Sequence, residues 1–528
     1  MHGWIATTIA ALMWLAPAPD AMLVKAVQSG DREAAIKLLG QGVDVNATEA
    51  DGTTALQWAV HRDDADLVDR LLRAGAKANT INDYGSSPMS EAAINGNVAV
   101  IEKLLKAGAN VESPNGDGQT ALMIVARTSN VAAAKLLLDR GANVNKVEQW
   151  RSQTALIWAA AESQPTMVKE LIARGADVNA RSMVNNWERQ VTSEPRAIHR
   201  PAGGLTPLLY AAREGCVECV KHLVAGKADL NLPDPEGITP LIMAVTNGHF
   251  DTGAYLLSAG ADPNKWDWWG RTPLYEAVDL NTLPHGGRPD LPSTDQISSL
   301  KMIELLLDAG ANPNTQLKLL PPYRSVGADR GADGMLTIGT TPLLRAAKGL
   351  DAPAIALLLK HGARHDIPNS RGVLPVVAAG GQGSRNGDTR GWFTTSDVQQ
   401  RSIASLDLLI KAGANINTGA EGGQSALRGA ITWGWNDVIQ FLASKGADLN
   451  APDSGGRTPL DAVLGGGGGR GGPATPTDAQ KATAALLEKL GAKPGLPAVP
   501  GQQGGRGGRG GRKESGLRFD EGRKKGEI

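Results

Sequence analysis

The sequence predicts an all-α fold of stacked helical repeats, and two recurring phrases indicate it. The first phrase is Gly-Ala-x-x-Asn. Clear copies begin at Gly75, Gly108, Gly141, Gly175, Gly260, Gly310, Gly413 and Gly446, and the copy at Gly108 ends in Glu112 instead of Asn. Weaker copies begin at Gly42, Lys227, Gly362 and Gly491. The recurring spacing is 33 residues, lengthened in places by insertions. A fixed period of this size is typical of one stacked array rather than of several separate domains.

The second phrase, Thr-Ala-Leu or Thr-Pro-Leu, keeps the same register. It begins at Thr54, Thr120, Thr154, Thr206, Thr239, Thr272, Thr341 and Thr458. Threonine caps a helix by accepting a backbone N–H, and proline suits the first helical position, so each copy predicts the start of a first helix. A second helix with an apolar stripe follows and ends at the recurrent glycine, which adopts the left-handed conformation that stops helices. Pairs such as Asp51-Gly52 and Asp117-Gly118 then predict a tight hairpin before the next threonine.

Helix, turn, helix and a projecting hairpin within 33 residues resemble the ankyrin repeat. The resemblance extends over residues 22–493 and implies an ankyrin solenoid of about twelve helix-turn-helix units with hairpin loops. The chain departs from the family at one position, where the family usually has His after Thr-Pro-Leu. This chain has Gln57, Met123, Ile157, Leu209, Ile242, Tyr275 and Leu344 there. We therefore expect packed apolar contacts in place of the family's histidine hydrogen bonds.

Five insertions interrupt the period in two different places. Residues 181–203 and 315–338 lengthen hairpins, whereas residues 281–298, 380–400 and 465–477 separate the two helices of a repeat. The two kinds are therefore expected to emerge from opposite rims of the helical layers. Insertions in such arrays map to loops and often to the binding face.

Both ends are expected to lie outside the array. Residues 1–21 are predicted to be a signal peptide, because Ile5–Ala16 is a short apolar run followed by the small-x-small sequence Ala16-Pro17-Ala18. This predicts an exported bacterial protein, periplasmic or secreted. No basic residue precedes the run, so a buried N-terminal helix in a cytoplasmic protein is the alternative. Residues 494–528 are rich in Gly and Arg and are predicted to be a disordered tail.

Composition excludes several classes of function. The 54 Lys and Arg residues balance the 54 Asp and Glu residues, so charge does not favour a nucleic-acid partner. The three Gly-Gly-Arg units of the tail form too short an array to change this. No apolar run reaches the roughly 18–20 residues of a spanning helix. The chain has no nucleophile-elbow or dinucleotide-binding motif. We predict a non-enzymatic monomer with no cofactor and no metal.

The two cysteines lie close together as Cys216-Val-Glu-Cys219, at the start of a second helix. One such pair cannot complete a zinc site. Cys219 occupies the usual buried aliphatic position of the repeat. A local disulfide across one helical turn and two small buried hydrophobes are both consistent with this placement. An oxidoreductase role is not predicted, because the thioredoxin-type sheet context is absent.

Tryptophan is in surplus, with 12 Trp against 5 Tyr and 4 Phe. The resemblance implies that the fifth residue counted from the capping threonine lies on the exposed face of the first helix, where partners bind. These fifth-position residues are Trp58, Glu91, Ile124, Trp158, Tyr210, Met243, Glu276 and Arg345. A second aromatic set is predicted at hairpin tips, at Tyr84, Trp150, Trp266, Trp268 and Trp269. Because Trp and Tyr dominate interface hot spots, both sets are candidate partner-binding residues.

The leading hypothesis is therefore an interaction scaffold that binds a protein partner, of unknown identity, through the concave first-helix face and the hairpin tips. Binding of cell-wall or other carbohydrate on exposed Trp platforms is one alternative, and a host-directed effector is another. The sequence contains no paired-carboxylate cleft that would favour the carbohydrate hypothesis. Packing of the aromatic side chains against neighbouring repeats is the structural alternative to all three.

Overall fold

The computed structural model describes most of the repeat array. It covers residues 19–185, 188–189, 198–199, 202–282, 294–319, 336–381, 395–420, 423–465 and 476–495. The apolar run of the predicted signal peptide and nearly all of the predicted tail lie outside the described residues, as do parts of the five insertions. The first helix begins at Pro19, three residues before the start of the array predicted from the sequence.

Helices alternate along the chain as first and second helices of successive repeats. The first helices are α1 (Pro19–Ser29), α3 (Ala55–His61), α5 (Pro88–Asn95), α7 (Ala121–Ala126), α9 (Ala155–Ala161), α11 (Pro207–Glu214), α13 (Pro240–Thr246), α15 (Pro273–Thr282), α17 (Pro342–Lys348), α19 (Pro375–Ala379), α21 (Ala426–Trp433) and α23 (Pro459–Leu464). The second helices are α2 (Arg32–Gly40), α4 (Ala65–Arg73), α6 (Val98–Lys106), α8 (Val131–Asp139), α10 (Pro165–Ala173), α12 (Val217–Ala225), α14 (Phe250–Ser258), α16 (Ser299–Asp308), α18 (Ala352–Lys360), α20 (Thr395–Lys411), α22 (Asn436–Ser444) and α24 (Asp478–Lys489).

Two layers of helices result from this alternation. Each first helix contacts the first helix of the next repeat, from α1 against α3 to α21 against α23. In the same way, each second helix contacts the second helix of the next repeat, from α2 against α4 to α22 against α24. The prediction of an all-α repeat array is therefore confirmed. The four short strands, β1 (Val184–Asn185), β2 (Glu188–Arg189), β3 (Ile198–His199) and β4 (Ala202–Gly203), pair as β1 with β4 and β2 with β3.

The recurring threonines cap the first helices as expected. The hydroxyl of Thr206 accepts the N–H of Leu209 at 3.2 Å, and that of Thr341 accepts the N–H of Leu344 at 3.1 Å. Proline follows each of these threonines at the start of the helix, where no backbone donor is required. The second phrase therefore marks helix starts by a capping hydrogen bond.

In eleven repeats, a leucine four residues before the recurrent glycine, or before Lys227 where that residue replaces it, forms the core between the two layers. All eleven of these side chains are fully buried, at Leu71, Leu104, Leu137, Leu171, Leu223, Leu256, Leu306, Leu358, Leu409, Leu442 and Leu487. The first helices contribute small buried residues opposite them, such as Ala159, Ala211 and Ala346. Small residues on one layer allow close approach, and leucines on the other fill the space between the helices.

The recurrent glycine ends the second helix in the left-handed region, as at Gly175 with φ 85° and Gly260 with φ 101°. A Cβ added at either glycine would meet nothing within 4 Å, so the conformation alone selects glycine there. Lys227 occupies the same position with φ 67° and an exposed side chain. This repeat therefore keeps a lysine in a conformation that costs an L-residue free energy.

Replacing Lys227 by Gly is expected to stabilise the array. The gain should be roughly 0.5–1 kcal/mol, because relief of the left-handed strain outweighs the extra entropy of glycine in the unfolded chain. The change in free energy of unfolding can be measured by chemical denaturation. The matched control is Gly175→Ala, which should change stability in the opposite direction. Equal and unchanged stability of both variants would contradict this account.

The last residue of the first phrase connects consecutive repeats. Asn46 donates through Nδ2 to the carbonyl of Gly75 (3.1 Å), and its Oδ1 accepts the N–H of Lys77 (2.8 Å). Asn79, Asn145, Asn264, Asn314 and Asn417 make the same pair of bonds to the repeat that follows each of them. At Glu112 only the acceptor bond is kept, from the N–H of Asn143 at 2.6 Å, because a carboxylate cannot donate.

The residues at the family's histidine position are mostly apolar and buried, as expected, but the expectation is wrong at Gln57. Its Nε2 donates to the carbonyl of Ser86 in the next repeat (2.8 Å), and its Oε1 accepts the N–H of Thr54 (2.9 Å). The side chain is long enough to cap its own helix and to reach the neighbouring hairpin. This repeat therefore retains a hydrogen bond between repeats at that position.

Candidate interaction surface

The row of fifth-position residues is much less accessible than predicted. Trp58, Glu91 and Trp158 are half-buried. The expectation of an exposed side chain is wrong at Ile124, Tyr210, Met243, Glu276 and Arg345, all of which are buried. The reason is contact with neighbouring repeats and hairpins, which the repeat period alone does not reveal.

Tyr210 illustrates how these contacts arise. Its hydroxyl accepts a hydrogen bond from Nε2 of Gln153, in the hairpin of the preceding repeat, at 2.9 Å. The guanidinium of Arg213 lies 4.8 Å from the ring centroid. The phenol ring is therefore held between two polar groups of this chain and presents little surface to a partner.

The two half-buried tryptophans differ in what their indole N–H groups contact. Trp58 donates through Nε1 to Oε2 of Glu49 (2.9 Å) and lies edge-on to the ring of His61, with centroids 5.6 Å apart. Trp158 packs beneath the guanidinium of Arg127, 4.7 Å from its ring centroid. The Nε1 of Trp158 is buried and has no acceptor within the described ranges.

A buried group of charges replaces the predicted contact surface around α15. Arg271 donates to Asp267, with Nε 2.7 Å from Oδ2, and pairs with Glu276, with 3.2 Å between Nη1 and Oε1. All three side chains are at most 6% exposed. Farther along, Arg345 lies 2.5 Å from the carboxylate of Asp279. Glu276 and Arg345 therefore act inside the array as ion-pair partners.

Trp269 is also buried, at 3% exposure, so its predicted place at an exposed hairpin tip is wrong. Its carbonyl accepts the N–H of Lys318 at 2.8 Å, and the guanidinium of Arg271 lies 4.6 Å from its ring centroid. The neighbouring hairpin thus covers the backbone of Trp269 and the arginine covers its ring. The adjacent Trp268 points away from this contact and is 60% exposed.

The hairpins carry most of the exposed apolar side chains of the described residues. Ten of the thirteen exposed large hydrophobic residues lie between a second helix and the next first helix: Ile81, Tyr84, Val147, Trp150, Met183, Val184, Trp266, Trp268, Leu319 and Ile338. The three others lie on helices, at Met22, Ile94 and Leu464. We call the set of ten the hairpin edge. Its largest exposures are 74% at Tyr84 and 71% at Trp150.

Backbone hydrogen bonds connect neighbouring tips along this edge. The N–H of Asp83 donates to the carbonyl of Asp51 (2.9 Å), and that of Trp268 donates to the carbonyl of Glu236 (2.8 Å). Farther along, the N–H of Ser370 donates to the carbonyl of Ile338 at 2.8 Å. Because these tips are fixed to a neighbour, the aromatic residues on them do not lie on independent loops.

An acceptor side chain at the base of many hairpins fixes the turn itself; it is usually Asn or Asp, and it is Glu148 in the turn of Trp150. Oδ1 of Asn82 accepts the N–H groups of Tyr84 (3.2 Å) and Ser86 (2.9 Å). Oδ1 of Asp267 does the same for Trp269 (3.0 Å) and Arg271 (2.9 Å). Such turns hold the side chains that follow in one orientation.

Several members of the hairpin edge were not predicted from the sequence. Ile81 and Val147 lie six residues after a recurrent glycine, in the same register as Trp266, which was predicted at a hairpin tip, so this common register was the signal that could have revealed them. Trp266 is 51% exposed, and Nζ of Lys318 lies 3.0 Å from its ring centroid. Met183 and Val184 belong to the first hairpin insertion, whose β1–β4 pairing continues the edge.

The hairpin base at Asp234 is acidic and poorly solvated. Oδ1 of Asp234 accepts the N–H groups of Glu236 (2.9 Å) and Ile238 (2.8 Å). Burial raises the pKa of Asp234 to about 6, although the two hydrogen bonds act in the opposite direction and lower the pKa. The equivalent positions of other repeats carry the neutral residues Asn115 and Asn369.

Replacing Asp234 by Asn is expected to stabilise the protein at neutral pH. A raised pKa in the folded state means that the contribution of Asp234 to stability falls as pH rises through the window from about 4 to about 6. The Asn variant keeps the acceptor and loses the charge, so it should be more stable by about 2 kcal/mol at pH 7 and nearly equal to wild type at pH 4. Urea unfolding of both proteins at the two pH values measures this difference. A difference of the same size at both pH values would contradict the assignment to this carboxyl.

Cys216 and Cys219 are joined by a disulfide bond at the start of α12. Among the described residues, no group of three or more His, Cys, Asp or Glu side chains is arranged to hold a metal ion. The helices described also include none with the length and apolar character needed to cross a membrane.

The comparison with known proteins agrees with this architecture. A family model described as ankyrin repeats (3 copies) matches residues 23–115, 90–182, 191–267 and 208–318, which together exceed half of the chain. Among solved structures, the ankyrin repeat domain of human ASB11 is similar, with 23% sequence identity and a TM-score of 0.38. That similarity covers 46% of this chain and 98% of the human domain. The two recurring phrases, the two helical layers and the family match together show that the chain belongs to the ankyrin-repeat family.

Proposed function

We propose that this chain is a non-enzymatic scaffold that binds a protein partner through the hairpin edge. Ankyrin repeats are generally protein–protein interaction modules. The observation that carries the choice of surface is the concentration of exposed apolar residues on the hairpins. Exposed aromatic residues such as Tyr84, Trp150 and Trp268 gain most from burial in an interface, because they combine a large area with few rotatable bonds.

The rigidity of the edge supports the same proposal. Binding costs free energy when loops must become ordered, and preorganised loops avoid that cost. Several tips are connected to a neighbouring tip, and the turns of Tyr84, Trp150 and Trp268 are fixed by a carboxylate or amide at their base. Trp58 and Trp158 remain a secondary contact zone on the first-helix face, where both are half-buried.

The proposal predicts that removing three aromatic side chains from the edge abolishes binding while leaving the fold intact. The test variant is Tyr84→Ala combined with Trp150→Ala and Trp268→Ala. A partner is first identified by photocrosslinking from residue 150 in cells of the native source, and its affinity is then measured by calorimetry. Loss of interface hot spots should weaken binding at least about 100-fold, since each contributes about 2 kcal/mol or more.

The matched control removes exposed apolar area from the helices instead, as Met22→Ala with Ile94→Ala and Leu464→Ala. This variant should bind with unchanged affinity. A second comparison, Trp58→Ala with Trp158→Ala, measures the contribution of the first-helix face. Unchanged affinity of the edge variant together with loss in the first-helix variant would reject the edge in favour of the concave face. Retention of a cell-wall glycan by wild type and its loss in the edge variant, with no protein crosslink, would favour carbohydrate binding instead.

A further inference from the structure

The residue at the capping position of the second helix makes the same hydrogen bond in several repeats. Oδ1 of Asp31, Asp64 and Asp351 accepts the backbone N–H three residues later, at 3.0, 2.9 and 3.2 Å. Asn130 makes the same bond at 3.1 Å. A side chain at this position therefore lies next to a free N–H donor and the positive end of the helix dipole. In three repeats that side chain is a carboxylate.

Cys216 occupies this capping position in α12. Its Sγ accepts the N–H of Cys219 at 3.2 Å, as the carboxylates do elsewhere. The side chain of Cys216 is half-buried, whereas Cys219 is fully buried. Of the two bonded sulfurs, only that of Cys216 lies in a residue that retains exposure to solvent.

The cap should stabilise the reduced state of the pair. A thiolate at Cys216 would receive the hydrogen bond and the helix field that carboxylates receive in the other repeats, and this favours reduction. The nearby carboxylates of Glu214 and Glu218 are paired with Arg213 (2.8 Å) and Lys221 (2.6 Å), so they do not leave an unbalanced negative charge beside the sulfur. The bond joins residues only three apart in the chain, and so short a loop constrains the unfolded chain little.

The next repeat also faces the pair. His249, which occupies the equivalent capping position of α14, packs its imidazole against Gly215, so closely that a Cβ on this glycine would lie 2.4 Å from Nδ1. Gly215 ends α11 with φ 73° immediately before Cys216. The pair therefore lies in a fixed turn between two repeats and is not on a free loop.

We propose that Cys216 and Cys219 form a thiol–disulfide exchange site that reacts with dithiols, with Cys216 as the sulfur that is attacked. A thiolate of the dithiol bonds to Sγ of Cys216, the bond between the two cysteines breaks, and Cys219 leaves as a thiolate that takes up a proton. The second thiolate of the dithiol then attacks the dithiol sulfur of the mixed disulfide. This closes the dithiol into a disulfide and releases Cys216 as a thiolate, which takes up a proton. The dithiol loses two electrons to become a disulfide, and the protein gains them as two thiols.

The test uses the full chain, with dithiothreitol as the dithiol. The native protein should be reduced by excess dithiothreitol without denaturant and with unchanged circular dichroism. After reduction, iodoacetamide should label Cys216 at least about tenfold faster than Cys219, since reactivity follows thiolate character and access. In the variant Cys219→Ala, oxidised glutathione should form a mixed disulfide with Cys216. The control Cys216→Asp restores the cap of the other repeats, and its Cys219 should stay unlabelled while the protein is folded.

Three results would overturn the proposal. A bond that dithiothreitol reduces only after denaturation would make the pair a structural constraint. Labelling of Cys216 in the folded Cys219→Ala variant no faster than in the unfolded chain would show that the cap does not activate the thiol. Failure of oxidised glutathione to re-form the bond in the reduced native protein would show that the pair does not cycle. None of these measurements depends on the hairpin edge.

Discussion

Replacing Arg271 by Met is expected to lower the free energy of unfolding by about 3–5 kcal/mol at pH 7, because removing one partner of a buried ion pair leaves an uncompensated charge. The guanidinium bonds to Asp267 at 2.7 Å and to Glu276 at 3.2 Å in a site where all three side chains are buried. Methionine has a similar length and fills the space without the charge. The loss can be measured by urea denaturation.

The same variant should show a characteristic pH dependence. Burial raises the pKa of Asp267, and Arg271 is the main group that opposes this increase. Without the arginine the pKa of Asp267 rises further, so its carboxyl becomes protonated at a higher pH than in wild type, and the cost of its buried charge is lost as pH falls. The destabilisation should therefore be smaller at pH 5 than at pH 7. Adding Asp267→Asn, which keeps the turn acceptor, should recover part of the loss at pH 7.

The chain contains a matched exposed control for this prediction. Arg457 pairs with Asp453 at the same four-residue spacing, with 3.1 Å between Nε and Oδ2, but its side chain is 66% exposed. Exposed pairs contribute at most about 1 kcal/mol, so Arg457→Met should have a small effect. Equal losses in the two arginine variants would show that burial does not determine the energy of this pair.

Replacing Leu137 by Ala is expected to destabilise the array by about 2–5 kcal/mol, since truncation of a buried leucine removes apolar contacts and leaves a cavity. Leu137 is fully buried between the two helical layers. The effect should appear as a lower unfolding free energy of the cooperative unit that contains α8, and hydrogen exchange should locate the loss in that repeat and its neighbours.

Leu38 is the control for this prediction. It lies four residues before Gly42, in the same register as Leu137, but it is only partly buried. Leu38→Ala should therefore cost less than half as much. A loss at Leu38 as large as that at Leu137 would show that register, rather than burial, determines the effect.

The regular features of the fold could be predicted from the sequence because they are local. A threonine cap, a following proline and a terminal glycine act within a few residues, so Thr206 and Gly175 could be assigned without any knowledge of neighbouring repeats. The exception at Gln57 arises because a long polar side chain reaches the next repeat.

The candidate interface could be predicted only in part. Tyr84, Trp150 and Trp268 are exposed, as expected at hairpin tips, whereas Trp269 and Tyr210 are buried. The sequence does not distinguish Trp268 from Trp269, which are adjacent aromatic residues in one turn. The distinction comes from Lys318, which donates to the carbonyl of Trp269 from the following hairpin, 49 residues away.

The sequence by itself determined that this protein is a stacked array, where its helices begin and end, and that its hairpins carry aromatic residues, because capping, helix termination and periodicity are short-range effects. Tertiary structure alone decided which aromatic residues remain accessible, that Arg271 and Glu276 form a buried charge group, and that Cys216 lies in a position that anions fill elsewhere. These properties depend on contacts between repeats. Burial and electrostatic environment are set by residues distant in the chain, and a repeat period does not specify them.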